Sequence, residues 1–179
     1  MENRQNLLAG RLKAGDHAAA AELVDMYYEQ IYWFMRRLGH SREAGEDLTQ
    51  ETFMQAWHHV GQLRSGRSLG SWLYHIAANV SRVYWRRHKH SELVSIELVS
   101  ATGEDDRSST DVLNLEQLAQ LRDAVMKLPI KLREAVVLHY MQHLTIAEAA
   151  EAAGVGKGTL KSRLSRALGV LRRQLNSDL

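Results

Sequence analysis

Lys157, Lys161, Arg163, Arg166, Arg172 and Arg173 crowd one short stretch near the C-terminus, with Thr159 and Ser162 between them and no acidic residue up to Gln174. Cations at this density engage phosphates. Arginine, lysine, serine and threonine side chains also reach base edges, arginine and lysine preferring guanine. That chemistry needs a rigid carrier of the right width, and the major groove of duplex DNA admits one α-helix. Residues 144–175 supply it as two short helical patterns around a turn at Gly154, Val155 and Gly156. In this helix-turn-helix, Ala149 and Ala150 allow close helix approach and Gly154 permits the tight turn. Val155 and Leu160 pack inward, leaving Lys157, Thr159, Lys161, Ser162, Arg163 and Arg166 facing out.

The rest of the chain has to hold and complement that helix. It has 179 residues, 45% hydrophobic and 25% charged, enough for one or two packed domains. Net charge is only +2, but it is unevenly spread. Residues 78–90 are basic, whereas residues 91–116 hold seven acidic residues against one basic residue, Arg107. Such segregation points to separate surfaces for separate partners. The absence of cysteine excludes disulfides and thiolate metal sites. With no signal-peptide pattern and no long apolar run, the expected location is the cytoplasm.

A single proline, Pro129, and long 3.6-residue apolar periods predict an all-α protein. Asp16 is suited to cap a first long helix with Leu23, Tyr27, Ile31, Phe34 and Leu38 on its buried stripe, stopped by Gly39. Ser41 caps a second, burying Ala44, Leu48, Thr52, Ala56 and Val60. Residues 61–70 read as a loop. A third helix over residues 69–88 buries Leu69, Trp72, Ile76, Val80 and Val83 and turns Asn79, Arg82, Arg86 and Lys89 elsewhere. Residues 91–111 have linker chemistry, with residues 93–99 either a short strand or an extended segment. Asp111 can cap a further helix with Leu115, Leu118, Leu121, Val125 and Leu128 inward. After the break at Pro129, residues 132–142 read as another helix. The organisation expected is two small helical domains, 1–90 and 113–179, joined by an acidic flexible linker at 91–112.

Enzymatic readings fare poorly. The run from Gly154 to Thr159 lacks the Ser or Thr that follows the lysine of a phosphate-binding loop, and no strand precedes it. His139 and His143 lie four apart without the glutamate of the metalloprotease pattern. No catalytic residue, metal or cofactor is expected.

Three stretches carry a resemblance. LPIKLREAVVLHYMQHLTIAEAAEAAGVGKGTLKSRLSRAL, residues 128–168, resembles the fourth conserved region of bacterial sigma factors. EDLTQETFMQAW, residues 46–57, and SLGSWLYHIAANVSRVYWRRHKH, residues 68–90, resemble the second. The order and coverage are similar to those of the two-domain extracytoplasmic-function group. The resemblance implies a factor that binds core RNA polymerase, directs it to promoters and helps open the duplex.

In that family the DLTQE-type helix docks on a coiled coil of the largest polymerase subunit. The matching positions are Asp47, Gln50, Glu51 and Met54, whose spacing places them on one helical surface. The minus-ten element would meet the third helix and its preceding loop, residues 62–68. Arg64 and Arg67 would supply charge there, and Asn79, Arg82 and Arg86 would line the helix. Tyr84 and Trp85 are candidates for base stacking, while Trp72 reads as core. The basic helix of the C-terminal motif would take the minus-thirty-five element. The resemblance also implies an anti-sigma partner, and an acidic linker that threads the polymerase interior.

Two features depart from the family pattern. Val83 and Ala78 stand where acidic and basic residues are common, and Gly156-Lys157-Gly158 replaces a proline-containing turn. The rival reading is a conventional dimeric helix-turn-helix regulator. It needs a dimer surface and usually a sensing domain, where this chain instead has the polymerase-type motifs. A chain that binds polymerase without promoter DNA is a second rival.

Overall fold

The computed structural model describes residues 2–63, 69–88 and 112–177. Among them there is no strand. Eight α-helices follow in order: α1 (Glu2–Lys13), α2 (His17–Arg37), α3 (Arg42–His59), α4 (Leu69–His88), α5 (Val112–Met126), α6 (Ile130–Val136), α7 (Ile146–Ala152) and α8 (Lys157–Ser177). A 3-10 turn at Val60–Gln62 follows α3, and α6 runs on into a π-helical turn at Val137–Met141.

The helix boundaries follow from local chemistry. Asp16 caps α2, its carboxylate accepting from the backbone N–H groups of Ala18 and Ala19 at 2.8 and 3.4 Å. Its other oxygen takes the Arg11 Nε donor at 2.8 Å, and Arg11 also reaches Glu22, so α1 is fastened to the start of α2. Gly39 ends this element at φ +99°, a conformation that any side chain would strain. Ser41 then caps α3 by accepting from Ala44 N–H.

The apolar stripes read from the sequence are buried as expected at Leu23, Tyr27, Ile31, Phe34 and Leu38, and at Leu69, Trp72, Ile76 and Val80. Thr49 and Thr52 join the core of α3 because their hydroxyls donate to the carbonyls of Gly45 and Leu48, both at 2.7 Å. Helix α1 went unforeseen. Among its described side chains Leu8 and Leu12 are buried and Ala9 packs beside them, too few for a clear period. The inward placement of Leu118 and Leu121 is corrected: they are 57% and 39% exposed. Helix α5 meets α8, with Ala124 and Val125 buried. A periodic stripe identifies a face, but nothing among the described residues covers the first half of this one. The linker readings, the residue 93–99 segment, the Asp111 cap and the Leu115 side chain lie outside the described residues.

The N-terminal helices α1–α4 and the C-terminal helices α5–α8 do not stand apart. One hydrophobic core runs from Leu8 to Leu171, and α4 lies directly against α7. Beside this junction His40 is 1% exposed, with Nε2 paired to Ser81 Oγ at 2.7 Å and the ring stacked on Trp85.

Burial, with the nearby charges of Arg133 and His88, pushes His40 down to about 3 from its ordinary 6.5. The folded chain therefore takes up this proton less readily than the unfolded chain. Its contribution to stability is complete above about pH 6.5 and drains away as pH falls toward 3. At pH 5 the loss is about 2 kcal/mol for this one group. Urea unfolding at pH 7 and pH 5 should show the wild type losing that much more stability than His40→Gln; equal losses would refute the assignment.

Candidate nucleic-acid interface

The helix-turn-helix forms as the sequence implied. Thr145 caps α7 in a reciprocal box. Its hydroxyl accepts from Glu148 N–H at 3.3 Å, and the Glu148 carboxylate accepts from Thr145 N–H at 2.9 Å. Ala149, Ala150 and Ala152 are buried, so α7 lies close to its neighbours. The chain turns at Gly154, φ +65°, where Val155 N–H donates to the Ala150 carbonyl at 2.9 Å. Leu160, Leu164, Ala167 and Leu171 then anchor α8 at intervals of three and four residues.

That anchor fixes what faces outward. Lys157, Thr159, Lys161, Ser162 and Arg166 are exposed, and Arg163 is half-buried. The unpaired N–H groups at the start of α8 add to the positive potential of its first turns. A Cβ at Gly156 or Gly158 would meet nothing within 4 Å, so these glycines leave the approach to the helix start open.

The residues expected to meet a separated strand do not share one environment. Asn79 and Arg86 are exposed on α4. Arg82 is turned toward the C-terminal helices, where its Nη1 donates to Glu134 Oε1 at 2.6 Å and to the Ala153 carbonyl at 3.1 Å. Trp72 is core, as read. Tyr84 and Trp85 pack in a ring cluster with His40 and His88. Arg64 and Arg67 lie outside the described residues.

On α3, burial of Leu48, Thr49, Thr52 and Ala56 turns Asp47, Gln50 and Met54 to the surface, Met54 at 54% exposure. Glu51 is half-buried and accepts from Gln55 Nε2 at 2.7 Å. Tyr28 and Phe53 stack nearby at 6.3 Å, adding an apolar margin. The result is a surface with a carboxylate, an amide and a thioether on one helix, suited to a partner helix carrying arginines.

Sequence reasoning did not single out Glu134, Arg133 or His75. Glu134 is only 3% exposed, and burial raises its carboxyl above the ordinary value against the opposing pull of Arg82, Arg163 and Lys131. Arg133, depressed by burial, donates to the carbonyls of Leu38 and Leu128 at 2.7 and 3.1 Å and to that of Met126. His75 donates from Nδ1 to the Glu151 carbonyl at 2.8 Å. The available signal was Glu134 itself, an acid immediately before the apolar run Ala135, Val136, Val137 and Leu138. Among the described residues no group of histidine, aspartate and glutamate side chains is arranged for a metal, and no helix is long and apolar enough to cross a membrane.

Residues 23–91 match the family described as Sigma-70 region 2, and residues 118–171 match Sigma-70 region 4. The chain is 33% identical over 175 residues to the ECF RNA polymerase sigma factor SigW of Bacillus subtilis, covering 92% of this chain and 93% of SigW. It is 32% identical to SigM of Mycobacterium tuberculosis over 169 residues, 94% of this chain and 83% of that one. Among solved structures, CnrH in complex with the cytosolic domain of CnrY shares the fold, with a TM-score of 0.72 at 24% identity over 98% of this chain and 99% of that one. The sigma factor RpoE of Bartonella quintana, solved with the anti-sigma factor NepR, gives 0.66 at 28% identity over 89% of this chain and 98% of that one. Two region matches in the family's order, and relatives aligned almost end to end, establish that the chain belongs to the extracytoplasmic-function sigma factors of the sigma-70 family.

Proposed function

We propose that this sigma factor binds core RNA polymerase through the α3 face of Asp47, Gln50, Glu51 and Met54 and delivers two DNA-reading surfaces to it. The outward face of α8, with Lys157, Thr159, Lys161, Ser162, Arg163 and Arg166, reads the minus-thirty-five duplex. The α4 face, Asn79, Arg82 and Arg86, with Arg64 and Arg67 of the preceding loop, holds the minus-ten strand. The observation that carries this reading is α8, whose buried leucines seat an acid-free basic face at the end of a closed helix-turn-helix.

The working units are residues 1–90 and 113–179, with 91–112 as the acidic connection. Two weak contacts linked in one chain raise each other's effective concentration, so neither surface has to bind tightly alone. The factor acts in the cytoplasm and performs no covalent chemistry; polymerase does. The sigma factor RpoE, which shares this fold, has been solved with the anti-sigma factor NepR, which supports an anti-sigma protein as the restraint on this one.

Transcription from a genomic fragment library with sigma-free core polymerase and the purified chain tests the whole reading. Discrete start sites sharing spaced upstream and downstream elements are expected; polymerase binding without transcripts would refute it. On a promoter so found, Arg163→Ala and Arg166→Ala should each weaken holoenzyme binding by roughly 1–3 kcal/mol in fluorescence anisotropy. Unchanged binding in both would remove α8 from the base contacts. Asp47→Ala with Gln50→Ala touches only exposed side chains. It should impair core polymerase binding while circular dichroism stays that of the wild type; intact binding would refute the docking face.

A further inference from the structure

The chain has no cysteine, so no thiol of its own can answer an oxidant. The soft sulfur that remains is methionine, at positions 1, 26, 35, 54, 126 and 141. Their surroundings separate them. Met35 is fully buried, and Met26 and Met141 are half-buried against the core. Met126 is half-buried too, its methyl group beside Gly39. Met54 alone among the described methionine side chains is exposed, at 54%. Peroxide has to touch sulfur to oxidise it, so a dissolved oxidant reaches this thioether ahead of the buried and half-buried ones.

Met54 also stands where a change of polarity matters. It follows Gln50 by four residues and Glu51 by three, which puts it on the α3 face that begins with Asp47. The opposite side of the helix is taken up by Leu48, Thr49, Thr52 and Ala56, all buried. Asp47, Gln50 and Glu51 are polar, so Met54 is the apolar and deformable member of the face. The stacked pair of Phe53 and Tyr28 lies next to it. A sulfoxide would replace this contact with a strong acceptor. Exposed to water, its oxygen is hydrated. Under a partner, it has to be dehydrated and needs a new donor. The neighbouring carboxylates of Asp47 and Glu51 only accept; of the four side chains, the Gln50 amide alone can donate.

We propose that Met54 is a reversible oxidation site, at which sulfoxide formation by a peroxide releases the α3 face from core RNA polymerase, resting on the reading of that face as the polymerase contact. A lone pair of the Met54 sulfur attacks one oxygen of hydrogen peroxide. An S–O bond forms, the O–O bond breaks, and the second oxygen leaves as water after proton transfer. Sulfur loses two electrons, and peroxide is reduced. In the reverse direction a dithiol reductase takes the oxygen off as water while its own thiols close to a disulfide. Helix α8 contains no methionine, so the duplex-reading face is left chemically unaltered. The oxidised factor keeps its fold and its DNA surface but loses access to the enzyme that would use them.

The full chain, labelled with a dye at its N-terminal amine, is treated with hydrogen peroxide. Catalase then removes the excess before untreated, sigma-free core polymerase is added. Peptide mass spectrometry should place the first added oxygen on Met54; a different first site would overturn the proposal. Fluorescence anisotropy should show polymerase binding weakened roughly ten-fold, with circular dichroism unchanged. Methionine sulfoxide reductases for both epimers, supplied with dithiothreitol, should restore the thioether and the affinity together. A loss that persists after reduction would overturn the proposal.

Met54→Leu isolates this sulfur from the others. Whatever its own affinity, it should bind polymerase equally well before and after peroxide; a loss as large as in the wild type would place the effect elsewhere. Met54→Gln carries a permanent polar group of similar length and should bind more weakly than Met54→Leu. The double change of Asp47 and Gln50 to Ala tells this proposal from the reading beneath it. Complete oxidation of Met54 without loss of binding overturns the oxidation site. If Asp47→Ala with Gln50→Ala still impairs binding, the docking face stands without it; if neither treatment weakens binding, the docking face falls as well.

Discussion

Short helices leave unpaired carbonyls at their ends, and this molecule meets that constraint by drawing donors from distant parts of the chain. Helix α7 spans only Ile146–Ala152, too short to be stable by its own hydrogen bonds. Its start is closed locally, by Thr145 and Glu148. Its end is closed both locally, by the Gly154 and Val155 N–H groups donating to the Glu151 and Ala150 carbonyls, and from α4, by His75 and Arg82. The end of α2 likewise depends on Arg133 of α6. The position of region 4 against region 2 thus follows from backbone requirements as much as from apolar packing.

Glu134 and Arg82 give this arrangement its sensitivity. A carboxylate shielded from water holds its charge only while cations and donors remain near it. Arg82 is the one of these contributed by the opposite half, and it is partly open to solvent, so its hold is moderate. Separation returns both groups to water, which replaces what each gave the other. The pair is thus one polar tie between α4 and the C-terminal helices, costly to break from one side alone.

Most of the architecture was legible because 3.6-residue periodicity and capping residues are local. Asp16, Ser41, Gly39 and Gly154 marked boundaries that the structure keeps, and the inward Leu160 of α8 set which cations face outward. The misreadings had non-local causes. Leu118 and Leu121 lie on a stripe that lacks a cover, and periodicity does not reveal whether a partner is present. The partner of Arg82 went unseen because it lies 52 residues away, and Glu134 gave no period of its own. The α3 face was readable as a surface, since its buried threonines and leucine determine the opposite side; what docks there came from family likeness, not from spacing.

The long reach in sequence of the contacts between α4 and α7 also has a consequence for synthesis. Arg82 leaves the ribosome 71 residues ahead of Ala153. At about 5–20 residues per second, that interval lasts roughly 4–14 seconds. For that time α4 can be folded while the segment that will engage it has not yet emerged. The contacts between α4 and α7 thus form only after α7 has emerged. Until then His75 and Arg82 of α4 have water in place of the carbonyls that they will cap.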